Sequence, residues 1–173
     1  MNLNELIGDK KILGLLEDFS DFIVIPREND TLPYLYKCNT EVEIIAKSGS
    51  GSCYVRNIND GKISYISSEG QVVYVAENTC KLLELVIQYP YWLDMIMLSS
   101  NVSTDSYSSM HIELKNERLA DIPDYNELQN VLIKRFNVPN SESVLDDFIS
   151  AVKSGTSLNV LSSVDENEYE KLT

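Results

Sequence analysis

Between Glu41 and Ala76 the chain carries four short runs, EVEIIA, SCYVRN, KISYIS and QVVYVA, each rich in Val, Ile or Tyr and each bounded by turn residues. Short β-branched and aromatic runs of this kind predict strands. The punctuation restricts them further: SGSG precedes Ser52, NDG spans Asn59 to Gly61, and SEG spans Ser68 to Gly70. Gly61 and Gly70 supply the positive φ that a tight hairpin or its bulge demands. Connections this short cannot cross over a sheet, so consecutive strands must pair antiparallel, as a meander. Within KISYIS, Ile63, Tyr65 and Ser67 share one face while Ser64 and Ile66 share the other. Neither face is cleanly polar, which predicts helices on one side of the sheet and a partly covered second side.

The segment SGSGS, Ser48 to Ser52, also resembles a flexible linker or a phosphate-binding loop. The phosphate loop fails on spacing. GxxxxGK[ST] counted from Gly49 needs a glycine where Tyr54 stands, and counted from Gly51 needs one at Arg56. A strand also follows, where a phosphate loop requires a helix. A GxSxG nucleophile elbow fails because the glycines flank Ser50 directly. What remains is a turn between two strands, in which Gly49 and Gly51 permit a tight backbone path.

The flanking segments change period. Leu3, Leu6, Ile7, Leu13, Leu16, Phe19, Phe22 and Ile23 recur mostly at three- and four-residue steps, predicting one or two short helices. Pro26 and Pro33 bracket a polar loop, and YLYKCN after it suggests a further helical turn. Asn78 or Thr79 caps a helix whose stripe is Cys80, Leu83, Val86 and Ile87, ended by Pro90. Trp92, Met95 and Ile96 then form a wall of the core. SSNVSTDSYSSM reads as a mobile, serine-rich loop. Asp124 with Glu127 opens a helix carrying Leu128, Val131, Leu132 and Phe136. Ser143 caps another, with Val144, Phe148 and Val152, ended by Gly155 in a left-handed conformation. SLNVLSS adds a terminal strand, and 164–173 is an acidic, mobile tail. The whole describes an α+β fold, a mainly antiparallel meander with flanking helices, in a single domain over 1–173.

Composition excludes several functions. Of 173 residues, 27 are acidic and 14 basic, for a formal net charge of −13. Phosphate-rich partners are repelled by such a field, whereas a basic protein is attracted. The three cysteines lie far apart without a CxxC pair, and His111 is the one histidine, so a structural zinc site is not expected. Cys53 and Cys80 read as small core residues. No run approaches the roughly 20 apolar residues a membrane helix needs, and the start lacks a secretory signal pattern. A reduced cytoplasmic protein without cofactor or metal is the expectation.

No catalytic constellation emerges either. His111 reads as a solvated loop residue. Glu41 with Glu43, Asp146 with Asp147, and Asp165, Glu166, Glu168 and Glu170 in the tail are chance pairs in an acidic chain. A calcium loop is absent.

Five features between Ser48 and Ile96 carry a family resemblance: the Gly49/Gly51 entry to a strand, the Asp60, Gly61, Ile63, Tyr65, Ile66 hairpin, the Ser68 to Gln71 turn, the Val75 to Asn78 approach to a helix, and Pro90, Trp92, Asp94. Leu32 to Tyr36 is a looser match. This stretch resembles the SUKH superfamily of bacterial immunity proteins and cell-wall-assembly regulators. The resemblance implies a SUKH-like α+β fold and a non-enzymatic role, neutralising a cognate polymorphic toxin by binding it. With the net charge, it points to a basic nuclease domain as the toxin. Asp60 and Glu69, at neighbouring hairpin turns, and Glu77 nearby are the candidate toxin contacts, with surface tyrosines buried on binding supplying affinity. The alternative is a regulatory or scaffold module of the same fold that binds an endogenous protein.

Overall fold

A computed structural model of the chain describes residues 8–25, 36–98, 103–156 and 158–162. The expected proline-bracketed loop, the first apolar positions of the N-terminal helix and the acidic tail lie outside the described residues.

All four strands form where expected: β3 (Val42–Lys47), β4 (Cys53–Asn57), β5 (Ile63–Ile66) and β6 (Val72–Ala76). They pair antiparallel in sequence order, and the two-residue β1 (Ile23–Val24) adds to the outside of β3, giving the order β1-β3-β4-β5-β6. The strand pleat sorts their side chains. Tyr54, Ile63, Tyr65, Val73 and Val75 join the main core, while Cys53, Val55, Ile66 and Val72 join a smaller core on the opposite face. A register shift between Ile44 and Ala46 in β3 interrupts that alternation. Ile44, Ile45 and Ala46 are therefore buried in succession.

The main core is covered by helices. α1 (Lys10–Ser20) is capped by Asp9, whose Oδ1 accepts from the Ile12 amide at 3.2 Å, and it ends at Asp21 with φ 51°. α2 (Thr79–Gln88) starts under an Asn78 cap that accepts from the Lys81 amide at 3.1 Å. It buries Leu82, Leu83, Leu85, Val86 and Ile87. Cys80 is a correction: it is exposed, because it sits in the first turn, outside the arc that the core covers. Cys53 is buried as expected. α3 (Trp92–Leu98) places Trp92, Met95 and Ile96 inward, and Trp92 lies edge-on to Tyr65 and Phe148 at 5.0 and 5.9 Å.

The described part of the serine-rich segment is helix from Thr104 onward. α4 (Thr104–Asp121) begins with Ser103 as N-cap, its side chain accepting from the Ser106 amide at 3.2 Å, and Tyr107 is its fully buried residue. Serine favours caps over helix interiors, and here one serine starts the helix that the others then continue. α5 (Tyr125–Phe136) opens at Asp124, whose side chain makes no capping bond, and it buries Tyr125, Gln129 and Leu132 while Val131 faces solvent. α6 (Ser141–Ser154) is capped by Asn140 rather than Ser143, which instead donates its amide to Asn140 Oδ1 at 2.9 Å. Gly155 follows with φ 67° and ψ 177°, positive in φ as expected but extended in ψ.

The second face is closed by chain segments far apart in sequence. β2 (Tyr36–Cys38) pairs antiparallel with β7 (Val160–Ser162), aligning Cys38 with Val160. YLYKCN is therefore strand at its end, a correction to the expected helical turn: its partner lies beyond the reach of any local pattern. Asn39 and Asn159 extend the pairing, the Asn159 amide donating to Asn39 Oδ1 at 2.9 Å. Leu158 and Val160 complete the smaller core against Ile44, Val55 and Ile66. The result is an α+β fold, an antiparallel sheet with helices on one face and a short strand pair on the other. No helix among the described residues is long and apolar enough to cross a membrane.

Candidate functional site

The meander sends its turns alternately to opposite ends of the sheet, and this separates the three candidate contact residues. The β4–β5 turn is held by Asn57 and Lys62, whose amide and carbonyl bond at 2.9 Å, with Gly61 at φ 76°. Asp60 Oδ1 accepts from the Lys62 amide at 3.0 Å and the residue stays exposed. Because Ala76 pairs with Ile63, β6 ends beside this turn, and exposed Glu77 follows directly. Tyr74 lies between them. Burial raises its phenol pKa, and Glu77 and then Asp60 raise it further. Lys62 Nζ stands 5.2 Å over the Tyr74 ring, a cation–π contact.

Glu69 belongs to the other end. It sits in the β5–β6 turn, where its amide donates to Ser67 Oγ at 3.2 Å and the neighbouring Ser68 amide donates to Ser52 Oγ at 3.1 Å. The structure thus brings Asp60 and Glu77 together and leaves Glu69 on the SGSGS side of the sheet.

From Glu77 a groove of about 210 Å³ runs between β6, α2 and α6. Lys81 occupies its wall, 2.9 Å from Glu84 Oε2 and 2.8 Å from Asp147 Oδ2. The bonds to Asp147 and then Glu84 push the Lys81 pKa up. One ammonium cannot neutralise two carboxylates. With Glu77 among the lining residues and Asp60 at the adjoining turn, this end of the molecule presents a negative field to which Lys62 and Lys81 are only partial counterions. The Lys81–Glu84 pair has helical i,i+3 spacing and was visible in sequence; Asp147, reaching across from α6, was not. Asp146 and Asp147 separate, with Asp146 lining a different groove, between α4 and α6. Glu43 pairs with Arg56 across β3 and β4.

The SGSGS turn is built as a knot. The Gly51 amide donates to the Ser48 carbonyl at 3.0 Å, the Ser52 amide donates to Ser48 Oγ at 3.2 Å, and Gly51 adopts φ 87°. The Gly49 amide donates to Asp21 Oδ1 at 2.8 Å, tying the turn to the end of α1. A side chain at Gly49 would meet the same oxygen at 3.0 Å. A phosphate would find this amide already engaged by a carboxylate. Below the turn, Asp21, Tyr65, Tyr91, Asp94 and Arg118 line a cleft of about 160 Å³. Burial raises the Tyr65 phenol pKa, with hydrogen bonding to Ser52 opposing it.

His111 is the remaining correction. It lies on α4, half-buried, with Nδ1 2.7 Å from the Tyr91 hydroxyl. Burial pushes the Tyr91 pKa well up. The imidazole is in turn held below its ordinary value by burial first and by Lys115 second. Among the described residues, no group of three His, Cys, Asp or Glu side chains is placed to hold a metal ion.

No family model, curated protein or solved structure matches the chain.

Proposed function

We propose that this chain is an immunity protein that binds and neutralises a basic toxin domain, such as a nuclease, by covering it. The carrying observation is the convergence of Asp60 and Glu77 at one end of the meander, continuous with the groove in which Glu84 and Asp147 share Lys81. The net charge of −13 and the resemblance of the meander motifs to SUKH proteins support the same reading. In this mechanism the acidic end captures the basic face of the toxin by long-range attraction, and shape blocks the toxin's substrate channel. Charge of this kind acts mainly on the rate of encounter.

The test is co-expression with the toxin encoded beside the gene, followed by association kinetics. Protection of the cells is expected. Asp60→Lys combined with Glu77→Lys should slow association about tenfold at low salt, with the difference shrinking as salt is raised. Glu69→Lys should have little effect on that rate. Failure to protect against any neighbouring toxin, with a pull-down returning only housekeeping proteins, would replace this reading with that of a regulatory module.

A further inference from the structure

Among the described helices α4 is the most weakly seated. Of its 18 residues only Tyr107 is fully buried, with Met110, Leu114 and Leu119 packed partly against the core, whereas the 11-residue α1 buries four side chains and the 10-residue α2 buries six. It packs chiefly against α3, α5 and α6. The Tyr107 ring stacks on Phe148 of α6 at 5.9 Å, but its hydroxyl is buried without a hydrogen-bond partner. An unpaired buried hydroxyl subtracts from what burying the ring gains.

One turn further on, His111 rests on the corner between α2 and α3. Its ring lies 4.8 Å from that of Tyr89 and 5.7 Å from that of Tyr91, with Nδ1 2.7 Å from the Tyr91 hydroxyl. The corner itself is fixed: Tyr89 and Tyr91 are both 2% exposed, and the Tyr89 hydroxyl donates to the Ser141 carbonyl at 2.7 Å. The charged groups around this contact come from three helices. Lys115 on α4 acts on the imidazole, Arg118 on α4 acts on the Tyr91 hydroxyl and shares a cleft with Asp94 of α3, and Glu142 and Asp146 of α6 face His111 across a groove. From α5, Tyr125 adjoins Tyr91. None of these carboxylates is hydrogen-bonded to the imidazole, and Glu142 and Asp146 are exposed, where solvent screens them. A proton added to His111 therefore places a charge in a half-buried aromatic contact without a bonded counter-ion.

We propose that α4 is an acid-released strap: protonation of His111 breaks its seat on Tyr89 and Tyr91, and α4 leaves the core as a unit, uncovering Tyr91 and Phe148. The device is independent of the function proposed above. Its sign follows from linkage. The opened strap takes up a proton at the ordinary imidazole value of 6.5, the closed one only at a lower value. Opening is therefore independent of pH above 6.5 and rises by up to about tenfold per unit as pH falls from there to the folded value.

The experiment is native-state hydrogen exchange of the full chain between about pH 8 and about pH 5, read by mass spectrometry on peptides from α4, β4 and β5 and corrected for intrinsic rates. Amides of α4 should exchange through an opening that β4 and β5 do not share, and that opening should increase on acidification. His111→Gln should abolish the pH dependence. Tyr107→Phe, which keeps the ring and deletes the unpaired hydroxyl, should reduce opening at every pH and leave the slope intact. His111 is the one histidine of the chain, so its ring-proton resonance reports titration in the unmodified protein, and its midpoint should lie below 6.5. Exchange of α4 only together with β4 and β5 would overturn the proposal, as would a pH slope that persists in His111→Gln. A midpoint at or above 6.5 would do the same, and so would a Tyr107→Phe chain that opens as readily as wild type.

Discussion

Single residues carry constraints that can be tested one at a time. Gly51 holds φ 87°, a backbone that a β-branched side chain resists, and its amide closes the turn onto Ser48. Gly51→Val should therefore cost about 2 kcal/mol, read as a lower urea midpoint. An unchanged midpoint would show that the turn tolerates a different path. His111 gives a pH signature. Its folded pKa is depressed by burial and by Lys115, from an ordinary value of 6.5. The unfolded chain then binds a proton that the folded protein declines. The associated stability is fully present above about pH 6.5 and is lost as pH falls through the folded value. His111→Gln should flatten the melting temperature in that window relative to wild type. Equal slopes in the two proteins would mean that the imidazole is not the source.

At the level of elements, legibility followed the range of the interactions. The meander was readable because strand, turn glycine and next strand are all local: Gly61 and Gly70 sit at φ 76° and 86° in the turns that the DG and EG pairs announced. The Asn78 cap was equally local, and Asn78→Ala should cost about 1 kcal/mol, measurable by thermal melting. Elements decided by distant partners were misread. Tyr36–Cys38 is strand only because Val160–Ser162 lies beside it. α4 was hidden because its serines read as loop, although Tyr107, Met110 and Leu114 stand at helical steps and pack against the core. Helical stripes were right at their centres and wrong at their edges: Cys80 and Val131 fall outside the buried arc, while Tyr125 and Gln129 fall inside it. Of the candidate contacts, chain order placed Asp60 and Glu69 at neighbouring turns, but neighbouring turns in a meander face opposite ways. The small core under β2 and β7 gives a further check at this scale. Leu158 is 2% exposed there, and Leu158→Ala should cost about 2–4 kcal/mol.

For the whole molecule the dominant quantity is charge. An excess of 27 acidic over 14 basic residues keeps copies apart and draws basic partners in, and both effects are screened as salt rises. Local pairing moderates this: Lys81 between Glu84 and Asp147 ties α2 to α6, so the acidic groove is also a structural seam. Lys81→Met should loosen that seam and sharpen the negative field at once, which predicts lower thermal stability together with faster capture of a basic partner. The strand pair on the far face has a consequence in time. Asn39 meets Asn159 across 120 positions. During synthesis, the apolar underside of the meander stays uncovered until nearly the whole described chain has left the ribosome, because Cys38 waits for Val160. The latch across the back of the sheet therefore closes late, whereas the sheet's own hairpins can form early, and the time taken to translate from the meander to Val160 sets how long that surface stays open to aggregation.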